Sequence, residues 1–195
     1  MIKEDLEIFK TIPTLETERL ILRRMLPSDL ADVYDYAKRA EVSEFLLWYP
    51  HDTTAFTRKY LKIVDSKYKR GEFYDWAVVC KADGRMIGTA GFTSIDVYNN
   101  NAEIGYVLNS DYWGRGLAAE AARAVITFGF EALRLVRIEA KYMTDNLGSK
   151  RVTEKCGMRE EGILRQSVYA KGRYVDVCLC SILVDEYKRL VSKSQ

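Results

Sequence analysis

The stretch of this chain best equipped for chemistry is NSDYWGRGLAAEAARA, residues 109–124. A strand-like run, AEIGYVL at 102–108, leads into it, and Ser110 and Asp111 read as a turn. Gly114, Arg115 and Gly116 follow, and an Ala-rich helix starts at once with Leu117 and Ala118. Glycines at 114 and 116 open backbone conformations closed to other residues, so successive N–H groups can converge on one point. The helix start adds N–H groups without intrahelical partners and the positive end of the helix dipole. Together they compose an anion cradle, best suited to a phosphate or pyrophosphate. Two common nucleotide loops do not fit it. A Walker A loop needs Lys-Ser or Lys-Thr after its last glycine, where Leu117-Ala118 stand. A dinucleotide fingerprint would tolerate Ala119 in its last position, but it opens a βαβ unit, and the residues ahead read as an antiparallel meander.

Composition narrows the partners. At 195 residues the chain is long enough for one domain with a proper core. A formal net charge of +2 and short single-sign runs give no nucleic-acid surface. The opening MIKEDLEIFK is charged throughout and no run approaches membrane-spanning length, so neither a signal segment nor a membrane partner is expected. Cys80, Cys156, Cys178 and Cys180 have no C-x-x-C spacing, and Cys178 and Cys180 share one strand face, which suits buried thiols. His51 is the only histidine, which removes a His-rich zinc site. The expectation is a cytoplasmic domain without a metal.

The elements that must position the cradle follow from periodicity. Residues 1–16 read as a polar lead-in without an assigned role. Residues 19–25 alternate apolar and basic, a first strand. Pro27-Ser28-Asp29 starts a helix with Leu30, Val33, Tyr34 and Ala37 on one face. A second helix, capped by Asp52, Thr53 or Thr54, turns Phe56, Tyr60, Val64 and Lys67/Tyr68 inward and ends at Gly71. Strands at 73–81, 86–97 and 102–108 form a meander across turns at 82–84 and 99–101. After the Ala-rich helix come a fifth strand (136–143), a short helix capped by Asp145 or Asn146, and a hairpin of 158–169 with 174–183 across Lys171-Gly172. Residues 184–195 are a fraying helix or coil. The result is an α/β (α+β) domain, residues 1–195: a mixed, mostly antiparallel sheet of about seven strands with helices on both faces.

Four segments in this order resemble the GCN5-related N-acetyltransferases (GNAT), in particular their RimJ/RimL-like branch. TERLILRRMLPSDL is similar to the branch's opening strand and helix, and AEIGYVLNSDYWGRGLAAEA to its acyl-CoA motif. NLGSKRVTEKCGM resembles the N-x-x-S…EK-x-GF segment, and GRYVDVCLCSILVDEY the closing strand. The similarity covers about 17–187. It implies acetyl-CoA as co-substrate and a sheet splayed between the fourth and fifth strands, where the pantetheine arm pairs with open strand edges around Val107 and Leu108. The pyrophosphate then sits on the amides around Gly114, Arg115, Gly116, Leu117 and Ala118.

The resemblance also implies roles. Acetyl transfer to an amine must remove a proton from an ammonium, which for an α-amine titrates near about 8. Glu103 at the start of the fourth strand, on the face of Gly105 and Val107, is the expected base, acting through a water; a solvent-facing edge carboxylate is the other reading. Ser149 is the expected acid toward the CoA sulfur, or solvent serves instead. Asn146 holds the pantetheine arm, caps its helix, or does both. Many relatives carry a tyrosine four residues beyond the serine; here Thr153 stands there. Trp48, Tyr49, His51 and Trp76 lie in segments that flank the acceptor groove in relatives, although an aromatic cluster equally describes a core. Lys150 and Arg151 either meet the CoA 3′-phosphate or form a solvated face. The acceptor is expected to be a protein N-terminal α-amine of ribosomal-protein type; a polyamine or antibiotic amine, and a non-catalytic acyl-CoA-binding module, are the alternatives. Aromatics left for a dimer surface would suit a homodimer.

Overall fold

The computed structural model describes residues 3–193. The ends of the expected 1–195 domain and of its tail, residues 1–2 and 194–195, lie outside the described residues. Chain order is β1 (Leu15–Glu16), β2 (Leu20–Arg23), α1 (Leu30–Ala37), α2 (Ala40–Ser43), α3 (Thr54–Arg70), β3 (Tyr74–Cys80), β4 (Met86–Asp96) and β5 (Asn101–Leu108). Then follow α4 (Leu117–Glu131), β6 (Arg137–Met143), α5 (Leu147–Lys155), β7 (Arg159–Ala170), β8 (Arg173–Leu183) and α6 (Val184–Lys193). The strands form one sheet of eight in the order β1-β2-β3-β4-β5-β6-β8-β7. Every neighbouring pair is antiparallel except β5 with β6.

The eighth strand is β1, in the stretch read as an unassigned lead-in. That stretch is structural: a 3₁₀ turn at Lys3–Thr11 carries Phe9, fully buried edge-on against Tyr74, Trp76 and Phe128 at 4.7, 5.8 and 6.1 Å. Aromatic pairs of this geometry add to the burial term, so a segment polar on average is held by one ring.

Two helical faces also differ from their periodicity. In α1 the buried positions are Val33, Tyr36 and Ala37, while the Tyr34 hydroxyl donates to the Asp52 carbonyl at 3.3 Å. In α3 they are Thr57, Leu61, Val64 and Tyr68, so Phe56 faces outward, 55 % exposed. Of the three expected caps, Thr53 is the residue whose side chain accepts the Phe56 N–H, at 3.2 Å, and the inward stripe starts at Thr57, one residue later than the periodicity placed it. Gly71 closes the helix in the left-handed region at φ 70°, as expected.

The sheet separates two layers. On one face α4 lies so close that a Cβ on Gly129 would be 2.8 Å from Ile138 Cδ1 and 3.1 Å from Phe92 Cζ. Close approach is why a glycine sits in this helix. Trp76, Phe92 and Phe128 cluster there. Side chains alternate along a strand, so Asp75, next to Trp76, belongs to the opposite face, where the Tyr68 hydroxyl of α3 reaches its carbonyl at 2.5 Å.

Candidate functional site

β5 and β6 pair in parallel only from Asn101↔Arg137 to Ile104↔Ala140. Beyond this, Gly105 to Leu108 keep their pairing with β4, and Lys141 to Met143 keep theirs with β8. The two strands no longer pair with one another. The sheet is therefore splayed between β5 and β6, the fourth and fifth strands of the expected order. Facing backbone edges in such a gap can accept an extended, amide-bearing ligand as they would a strand. One group on this edge is already engaged: the Leu108 carbonyl accepts the Trp113 indole N–H at 2.8 Å.

β5 leads from the gap into the glycine turn. Asn109 ties the turn down by accepting the Asp111 N–H at 3.1 Å and donating to Asp35 at 3.1 Å. Arg39, just past α1, grips Ser110 Oγ at 2.9 Å and both Asp111 carboxylate oxygens at 2.7 and 2.8 Å. Such charge-assisted, bidentate contacts fix position as well as energy. Gly114 and Gly116 take φ of 75° and 78°. Nothing lies within 4 Å of a Cβ built on Gly114, so conformation rather than space requires the glycine. Gly116 is the N-cap of α4 and no side chain caps that end, which leaves the first-turn N–H donors open.

One acidic residue in that first turn, Glu120, would oppose an anion, but its carboxylate is turned away. It accepts the Thr17 hydroxyl at 2.6 Å, the Arg19 N–H at 2.9 Å and the Arg19 Nε–H at 2.7 Å. Burial raises the Glu120 pKa, and these bonds outweigh it and hold the group below its ordinary value. Arg19 also donates to the Arg115 carbonyl at 3.0 Å, so one guanidinium neutralises Glu120 and braces the cradle.

Glu103 sits one residue before the strands part. Its Oε2 accepts from Lys141 Nζ at 2.6 Å, and its Oε1 accepts from the Thr93 hydroxyl at 3.2 Å. Pleating places Glu103, Gly105 and Val107 on the α1/α3 face and Tyr106 and Leu108 on the α4/α5 face. Asn146 caps α5, its Oδ1 accepting the Ser149 N–H at 3.0 Å. Ser149 is half-buried in the first turn. Lys150 and Arg151 are exposed. Thr153 is buried, its hydroxyl donating to the Lys150 carbonyl at 2.8 Å. Sequence reasoning passed over Tyr106. From the opened half of β5 its hydroxyl donates to the Ser149 carbonyl at 3.2 Å, and burial holds the phenol well above its usual pKa. The alternation in AEIGYVL already placed it opposite Glu103.

The aromatic residues divide. Trp76 is a correction: it is wholly buried, its indole N–H donating to the Pro13 carbonyl at 2.7 Å, and offers no surface to a groove. It lies on the α4 face, where ring packing claims it. Trp48 is half-buried 5.6 Å from His51, whose ring is buried with Nδ1 2.9 Å from Thr57 Oγ1, and burial lowers its pKa. Tyr49 is 66 % exposed, with Lys171 Nζ 5.6 Å above its ring. Lys171 also donates to the Ser43 carbonyl at 2.5 Å, so the tip of the β7–β8 hairpin is fastened to α2. Beside this clasp, at the end of β6, a hollow of about 230 Å³ is lined by Phe45, Met143, Asp145, Arg173 and Tyr174.

Among the described residues, no helix is long and apolar enough to cross a membrane, and no group of three His, Cys, Asp or Glu is placed to hold a metal ion. Residues 19–159 match the family model described as an acetyltransferase (GNAT) domain. The chain is 36 % identical over 174 residues to p20 of Bacillus licheniformis, an uncharacterized N-acetyltransferase, covering 89 % of this chain and 98 % of that protein. It is 32 % identical over 103 residues to the ribosomal-protein-serine acetyltransferase of Escherichia coli, 53 % of this chain and 58 % of that protein. The ribosomal-protein-S5-alanine acetyltransferase structure from Vibrio fischeri superposes with a TM-score of 0.76 at 26 % identity, covering 89 % of this chain and 97 % of that one. A splayed sheet, an anion cradle at the helix that follows it, and a matched domain model across most of the chain lead to one conclusion: the protein belongs to the GNAT family of N-acetyltransferases.

Proposed function

We propose that this enzyme transfers an acetyl group from acetyl-CoA to the α-amine of a protein N-terminus, a reading supported by relatives whose names specify ribosomal proteins. The observation that carries the co-substrate is the open β5 edge running directly into the uncapped start of α4. Acetyl-CoA supplies the acetyl group as a thioester, together with a pyrophosphate and an amide-bearing arm. The free N–H groups around Gly114, Arg115, Gly116, Leu117 and Ala118 suit the pyrophosphate. The edge at Val107 and the N–H of Leu108 suit the arm, and Asn146 lies beyond the gap to hold it.

Glu103, whose Oε2 accepts from Lys141 Nζ, takes the proton that the acceptor ammonium must lose, through a water. Ser149, on the opposite face, supplies the proton for the departing sulfur. Trp48 and Tyr49, beside the hairpin clasp, border the acceptor's entry. The exposed Trp113 and Tyr174 favour a homodimer surface, and a cytoplasmic site of action accords with ribosomal-protein acceptors.

The test is acetyl transfer followed by mass spectrometry across N-terminal peptides, lysine peptides, polyamines and aminoglycosides. Transfer to one α-amine class, slowed about 10²–10⁴-fold by Glu103→Gln with CoA affinity kept, is the expected result. Transfer to small amines alone would replace the protein acceptor. CoA binding without transfer to any of them would favour a binding module.

A further inference from the structure

Asp75 has no part in the chemistry described so far, yet its placement is unusual. In register, Asp75 on β3 faces Gly91 on β4, and Gly91 faces Gly105 on β5. This row crosses three adjacent strands on the α1/α3 face and stops where β5 and β6 part. The two glycines leave the floor between Asp75 and the Glu103–Gly105 end bare of their own side chains. The floor is closely fitted: a Cβ on Gly91 would stand 2.3 Å from Asp75 Cα and 2.7 Å from Asp75 Oδ1.

Asp75 Oδ1 is also the one buried side-chain oxygen or nitrogen among the described residues without a hydrogen-bond partner. Leaving such a group unpaired forfeits its solvation and calls for a reason. The groups that face it are neutral. Tyr36 comes from α1, and Tyr60 and Tyr68 from α3, each phenol pushed up by burial. Thr89 and the Trp76 N–H adjoin it on the sheet. His51 stands behind, edge-on to Tyr60 at 5.8 Å. No cation is among them. Asp75 as a whole is partly exposed, so solvent reaches part of the residue while Oδ1 itself is buried.

We propose that Asp75 is a second anchor for the acceptor, taking a cationic group that lies roughly 10 Å, two strand spacings, from the nitrogen being acetylated. The inference rests on the acetyl-transfer reading above and deepens it by naming the acceptor's chemistry. Asp75 is too far from the parting of β5 and β6 to meet the reacting nitrogen. A second cation at that spacing is supplied by a lysine or arginine as second residue of a peptide, or by the far end of a diamine. Burial pushes the empty carboxyl up to about 7, against the Thr89 hydroxyl and the Trp76 N–H, and an arriving cation pulls it back to the charged form.

The experiment is calorimetric binding to the full chain saturated with CoA, which needs no turnover. A straight-chain diamine of seven carbons is compared with the monoamine of the same length. Wild type should bind the diamine at least about tenfold tighter, with the preference falling as pH drops below the Asp75 pKa. Asp75→Asn should abolish the preference and leave CoA affinity unchanged. Equal affinities in wild type, or an undiminished preference in the variant, would overturn the anchor. The pH arm uses wild type alone and stands even if the variant folds poorly; a preference independent of pH overturns it equally. Turnover of peptides with lysine or norleucine second then identifies the source: a lower KM for lysine, lost in Asp75→Asn, supports a protein N-terminus, and a preference confined to the diamine supports a small amine. Intact binding preference with no acetylation would defeat the transferase reading and leave the anchor standing.

Discussion

Removing the charge of Asp75 should change how stability depends on pH, by an amount that follows from its burial. The folded carboxyl is raised from 3.8 to about 7, chiefly because the ionised form has lost its water. Between those values the folded state holds a proton that the unfolded chain has released. Stability therefore falls as pH rises from about 4 to about 7, and is flat in this respect above. At about 1.4 kcal/mol per pKa unit, the full span is at most about 4 kcal/mol, less whatever water entry relieves. The assay is urea unfolding of wild type and Asp75→Asn at several pH values across that window, read as the difference between the two. Taking the difference matters, because the lowered His51 pKa works in the opposite direction and cancels only there. Asp75→Asn should lose stability relative to wild type at the acid end and gain it progressively toward pH 8. A difference that stays constant across the window would mean that Asp75 ionises in the fold as it does in water, and the reasoning from its burial would fail.

Other perturbations have definite outcomes. Gly129→Ala gains up to about 1 kcal/mol of helix propensity but sets a methyl 2.8 Å from Ile138 Cδ1, and overpacking of this kind costs about 1–3 kcal/mol. A net loss of about 1 kcal/mol in chemical unfolding is expected; a gain would show that α4 can lift from the sheet freely. Arg19→Ala leaves the Glu120 charge uncompensated beside the cradle and the Arg115 carbonyl unbraced, so CoA should bind about tenfold more weakly, measured by calorimetry. Unchanged affinity would separate Glu120 from the anion site. Tyr106→Phe removes the bond to the Ser149 carbonyl, worth about 1 kcal/mol, and should lower kcat more than it raises the KM for acetyl-CoA. Equal effects on both would limit Tyr106 to supporting the binding of CoA.

Much of the site was legible because it rests on local rules. Two glycines before an Ala-rich run announce a left-handed turn and an uncapped helix start, and both are present at Gly114 and Gly116. Asn146 capping α5 is equally local. The illegible parts depend on partners distant in sequence. Nothing near Glu120 says that Thr17 and Arg19, a hundred residues away, will turn its carboxylate from the cradle. Nothing near Phe9 says that its ring completes a cluster with Trp76 and Phe128. Trp76 was misjudged for the same reason, since an aromatic residue in a strand faces core or groove according to which helix covers it. Asp75 carried a local signal, an acidic residue alternating with the apolar ones of YDWAVVC, but only the register with Gly91 and Gly105 gives that signal a direction.

The β5 pleat divides the labour of the site. Residues on one parity, Tyr106 and Leu108, face α4 and α5, the layer that holds the cradle and Ser149. Those on the other, Glu103, Gly105 and Val107, face α1 and α3, the layer that holds Asp75. A single slip in pairing would exchange the two sets. The bulge in β4 bears on this directly, because Phe92 pairs with Ile104 and Ser94 with Glu103, leaving Thr93 as the extra residue. That residue spends its hydroxyl on Glu103 twice, on the carbonyl and on Oε1, both at 3.2 Å. Bulges re-aim side chains and tighten twist. Here the bulge braces the proposed base one residue before β5 and β6 part, so the carboxylate is positioned by an irregularity in the neighbouring strand.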